Sequence, residues 1–170
     1  MERSVDGKRT LVIGVGNPLR ADDGVGVCVA HALAAQPLPK DVAVVDGGTG
    51  GLDLLFELEK AERVLLIDAA EMGCVPGEAR TFSGHQVAAG SGARFASTHG
   101  FGVAEVLALA RSVGVEPEVT VLGIEPSEVT YRDSLSETLA ARVPEYVELA
   151  RGLLAPGGEE PDWPHTQSKE

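Results

Sequence analysis

Acidic residues recur just after short apolar runs in this sequence. Residues 10–15 (TLVIGV) lead through Gly16-Asn17-Pro18 to Asp22 and Asp23, residues 42–45 (VAVV) to Asp46, and residues 63–67 (RVLLI) to Asp68. A single Asp in such a place says little, because Asp is common in turns and helix caps. Three apolar runs ending this way in succession form a pattern. Carboxylates drawn together repel unless protons or a cation neutralise them, so the cluster is either a metal site or a proton-sharing acid site.

Histidine bears on that choice. His165 falls in a polar tail, and His31 falls in a helical pattern with a partly exposed structural role. His85 and His99 bracket the stretch 84–98 (GHQVAAGSGARFAST). His99 lies between Ser97-Thr98 and Gly100-Phe101-Gly102, directly before a helical pattern, and is the better placed to join the acids. His85 ranks second as a ligand. Two of these carboxylates and one imidazole would make a borderline donor set suited to nickel, zinc or a similar divalent ion. Three protein ligands leave coordination positions open.

The elements that must position these residues follow from periodicity. Residues 10–15, 42–45, 63–67 and 119–124 are short, apolar and β-branched and read as buried strands, with a weaker strand at 79–82. Helical patterns span 23–35, with Asp23 as a candidate N-cap, then 51–58, 102–113 and 134–154. The stretch 84–98 reads as a long loop, which in a compact domain is more often functional than idle. Alternating strands and helices predict an α/β fold: a three-layer α/β/α sandwich around a mostly parallel, roughly five-stranded twisted sheet. Ligands of such sheets bind beyond the carboxyl ends of the strands, where the aspartates fall.

Composition excludes several classes. With 14 Lys and Arg against 26 Asp and Glu, the net charge is -12. So acidic a chain repels phosphate backbones and anionic membranes, so neither nucleic acid nor membrane is an expected partner. Cys28 and Cys74 form no zinc-like spacing, and Cys28 reads as a small buried apolar residue. No segment has the character of a signal peptide or a membrane span, which predicts a cytoplasmic protein. One domain is expected over residues 1–155, with a disordered acidic tail at 156–170 rich in Pro and Gly. Nothing demands a dimer, and a monomer is expected.

The first loop, GVGNPLRADDGVG, superficially invites a dinucleotide reading. Yet Asp22 and Asp23 stand where a pyrophosphate would have to meet the helix N-terminus, which is electrostatically wrong. No phosphate-binding GxxxxGK[ST] occurs either, and no organic cofactor is expected.

The segments GNPLRADDGVG, DGGTGG, LLIDAA and STHGFG, in this order and spacing, resemble the hydrogenase maturation proteases, aspartic-type endopeptidases of the nickel–iron hydrogenase system. The resemblance covers about residues 10 to 154. It implies that Asp23, Asp68 and His99 match a nickel-recognition triad, and that Asp46 matches a further acid associated with activity. Asp46, Asp23 and Asp68 then form the catalytic set. The implied partner is the large-subunit precursor, cut near its C-terminus after nickel insertion, so the nickel is supplied by the substrate. Glu125 adds an acid with a substrate-contact role. A nickel-sensing assembly factor that cleaves nothing is an alternative. A further alternative is a peptidyl-tRNA hydrolase, which shares LVIGVGNP but needs a histidine where this chain has Val27.

Overall fold

The computed structural model describes residues 9–90, 95–98 and 102–155. The tail from residue 156 onward, expected to be disordered, and His99 both lie outside the described residues. Strand β1 (Thr10–Gly14) leads through a 3-10 turn (Ala21–Gly24) into α1 (Val25–Ala34), and β2 (Val42–Asp46) is followed by α2 (Asp53–Leu58). Then come β3 (Arg63–Glu71), β4 (Ala79–Ser83), α3 (Gly84–Ala89), the short β5 (Ala96–Ser97) and α4 (Val103–Ser112). Strand β6 (Glu118–Ile124), α5 (Glu137–Ala140) and α6 (Val143–Leu154) complete the described chain.

The strand order is β2-β1-β3-β6-β4. The first four strands are mutually parallel and β4 runs antiparallel on the edge, while β5 pairs antiparallel with the far end of β3. Side chains alternate across the sheet and build two cores. Leu11, Ile13, Val64, Leu66 and Val121 pack with Leu54 of α2, Val87 of α3 and Val106 of α4. Val12, Leu65, Ile67 and Leu122 pack with Val29 and Leu33 of α1, Leu139 of α5 and Tyr146 of α6. The expected three-layer sandwich is what forms.

Three expectations are corrected. Residues 84–98 are not one loop, because Ser83 and Gln86 make a reciprocal capping box that starts α3. Pro144 lies in the first turn of α6, and no continuous helix runs from Ser134; α5, capped by Ser136, precedes it. Asp68 does not end its strand either, since β3 continues to Glu71.

Candidate active site

Chain order reverses between β1 and β3: from β1 the chain crosses to β2 on one side, then returns to β3 on the other. The crevice at the carboxyl ends of such a pair is where α/β sheets bind ligands. Asp23 and Asp68 lie at that point. Gly26, three residues after Asp23, brings the start of α1 against the carbonyls of Val15 and Ile67 so closely that a Cβ there would strike both. The helix that follows Asp23 thus abuts the strand residue that precedes Asp68.

Asp23 is not the N-cap of α1. Gly24 holds that place without a side-chain bond, and Asp23 is fully buried in the preceding turn, its Oδ2 accepting the Asn17 N–H at 3.0 Å. Its Oδ1 accepts the Thr98 hydroxyl. Asp68 is equally buried, and its Oδ2 accepts the Ser97 hydroxyl at 2.8 Å. Two consecutive residues therefore hold the two acids. They are fixed by the pairing of Ala70 with Ser97 on β3 itself, and by Gly102 at the start of α4, where a Cβ would stand 2.6 Å from that of Ser97.

The other acids are placed elsewhere. Asp22, also fully buried, is tied into the backbone. Its Oδ1 accepts the Ser136 N–H at 2.7 Å, and its Oδ2 accepts those of Ser127 and Glu128 at 2.9 and 3.0 Å. A buried carboxylate is tolerated when hydrogen bonds of this kind replace its water. Asp22 is therefore a clamp between two loops. Asp46 stands level with Gly14, which stands level with Ile67, so β2 and β3 are about 10 Å apart across two strand spacings. Its carboxylate is half exposed, accepts the Gly48 N–H at 2.8 Å and faces His31 Nε2 at 3.4 Å. The pairing of Asp46 with His31 had no signal in the sequence beyond strand parity.

Glu125 has a defined contact: its Oε2 accepts the N–H groups of Met72 at 2.6 Å and Cys74 at 3.3 Å, holding the turn after β3. It lines an acidic cleft of about 290 Å³ with Glu71, Gly73 and Ser127. His85 is removed from the site altogether. It lines a different cleft with Arg111 and Glu118, at the end where β6 begins. Cys28 and Cys74 are both free and half-buried, so Cys28 is less enclosed than its pattern predicts. Among the described residues no group of three or more His, Cys, Asp or Glu side chains is set to hold a metal.

A family model for hydrogenase maturation proteases matches residues 27–152. The chain belongs to that family. It is 40% identical over 139 residues to the hydrogenase expression/formation protein HupD of Rhodobacter capsulatus, covering 80% of this chain and 66% of the relative. It is 36% identical over 154 residues to HoxM of Cupriavidus necator, covering 89% and 76%. The hydrogenase maturating endopeptidase HybD of Escherichia coli superposes with a TM-score of 0.76 at 31% identity, covering 86% of this chain and 91% of that one. As a hydrogenase maturation protease the chain is an endopeptidase by class, and the peptidyl-tRNA hydrolase reading falls. No helix among the described residues is long and apolar enough to cross a membrane.

Proposed function

We propose that this protease removes the C-terminal extension of a nickel-loaded nickel–iron hydrogenase large-subunit precursor, engaging the substrate's nickel through Asp23, Asp68 and His99. The observation that carries the reading is the joint hold of Ser97 and Thr98 on Asp68 and Asp23, at the switch point of the sheet. In the sequence, His99 is the next residue. Two carboxylates and an imidazole suit a borderline divalent ion. A three-ligand set engages best when a partner brings the remaining ligands, so the ion arrives with the precursor rather than residing in the protease. The nickel-positioned carbonyl or water is then the reacting group. Asp46, half exposed on the same edge, assists as a base or through its charge. The precursor is the partner, a monomer suffices, and the setting is cytoplasmic.

The test is direct. Incubated with nickel-loaded precursor, the protein should cause a mass loss equal to a C-terminal peptide, and nickel-free precursor should stay intact. Stable binding of loaded precursor with no mass loss would identify an assembly factor instead.

A further inference from the structure

Ser97 and Thr98 use their hydroxyls on different acids. Consecutive side chains of an extended chain diverge, so a segment running between two carboxylates can serve one on each side. Ser97 donates to Asp68 and Thr98 to Asp23. The segment is itself immobilised, by the pairing of β5 with β3 and by the close approach of Gly102. A carboxylate offers roughly four acceptor positions, and one hydroxyl from a fixed donor sets the plane in which the others point.

Resting on the nickel-engaging reading above, we infer that Ser97 and Thr98 are positioning residues, whose hydroxyls orient Asp68 and Asp23 for engagement of the incoming divalent ion. Partners that orient a ligating group fix its direction, and their loss typically lowers metal affinity by about 10- to 100-fold. A tie made by neighbouring residues also fixes the two carboxylates relative to each other, which neither acid's own backbone can do.

The experiment compares dissociation constants for nickel-loaded and nickel-free large-subunit precursor, alongside kcat and KM for cleavage. Thr98→Val keeps the shape and removes the hydroxyl, and Ser97→Ala does the same for the other acid. Each should weaken binding of loaded precursor on the order of 10- to 100-fold and leave binding of nickel-free precursor unchanged. Thr98→Ser should restore most of the loss. Wild-type affinity in Thr98→Val would overturn the inference, as would an equal loss in Thr98→Ser, because that variant retains the hydroxyl. Equal weakening toward nickel-free precursor would overturn it too, by exposing a general docking or folding defect. Asp68→Asn separates this inference from the reading beneath it. If Asp68→Asn binds loaded precursor fully, the nickel reading itself fails; if it loses binding while Thr98→Val does not, only the positioning role fails.

Discussion

Asp23 and Asp68 belong to different layers and are joined through neighbouring hydroxyls. Asp23 lies in the turn that opens onto α1, on one face of the sheet. Asp68 shares the face of Leu66 and Ala70, which look toward α2, α3 and α4 on the other side. Thr98 reaches the first acid and Ser97 the second. The site is therefore assembled from three chain segments more than 25 residues apart in sequence, and its geometry depends on how closely the layers approach.

Asp22 sets one such approach. Asp22→Ala would leave the buried N–H groups of Ser127, Glu128 and Ser136 without their acceptor. At roughly 1 kcal/mol or more for each, the loss should be about 3 kcal/mol or greater. Thermal denaturation should then show a fall in Tm on the order of 6–12 °C. Asp22→Asn should recover only part of it, because one amide end would point a donor at donors. Melting curves indistinguishable from wild type would show that the clamp contributes nothing.

Gly26 sets another. Gly26→Ala places a methyl against the carbonyls of Val15 and Ile67, backbone atoms that cannot step aside. The variant should be destabilised by about 2 kcal/mol or more, because α1 must lift from β3. Gly152→Ala is the control, since a Cβ there meets open space and Ala is the better helix former by up to about 1 kcal/mol. Denaturant midpoints of the pair should move in opposite directions. A shared direction would count against the close-approach argument.

The fold was legible because its central strands are mostly buried parallel runs with acids at or near their carboxyl ends, a pattern that local sequence carries. Asp22 and Asp23 shows where legibility ends. Adjacent and chemically identical, both looked available in sequence, yet one is tied to three backbone N–H groups of distant loops and the other to Asn17 and Thr98. That division depends on contacts about 75 to 114 residues away, which no periodicity encodes. Other misses were local. Ser83 and Gln86 carry the capping-box spacing, and Pro144 marks a helix start, so α3 and the break before α6 were open to a closer reading.

Tyr146 links stability to pH. Its hydroxyl donates to the Gly77 carbonyl at 2.6 Å in the core beneath α6, and burial pushes the phenol up to about 12 although nearby Arg142 opposes the rise. The fold thus favours the neutral phenol. Its contribution is complete below the unfolded value near 10 and is lost as pH rises through about 12. Wild type should lose up to roughly 2–3 kcal/mol from this group across that window. Tyr146→Phe, which has no proton to lose, should start less stable and fall less steeply. Parallel slopes between pH 9 and 12, followed by chemical denaturation, would remove Tyr146 as the cause.

The aspartates themselves separate ligand from acid. Asp→Asn removes a charge while nearly keeping the shape, so loss of turnover alone does not discriminate, because a ligand and a proton-sharing acid both fail that test. Binding does. An amide oxygen is a much poorer partner for a divalent ion than a carboxylate. Asp23→Asn and Asp68→Asn should therefore weaken capture of nickel-loaded precursor, and with it cleavage. Asp46 is about two strand spacings from β3 and faces His31 rather than the Ser97–Thr98 segment. Asp46→Asn should bind loaded precursor as wild type does and show its defect in kcat, with an altered pH profile if the carboxylate acts as a base. Binding and single-turnover cleavage measured on the same three variants decide the matter. Full capture by Asp68→Asn with no cleavage would transfer Asp68 to the acid pair, since in that model the mutation deletes one of two coupled titrations and leaves the docked substrate where it was.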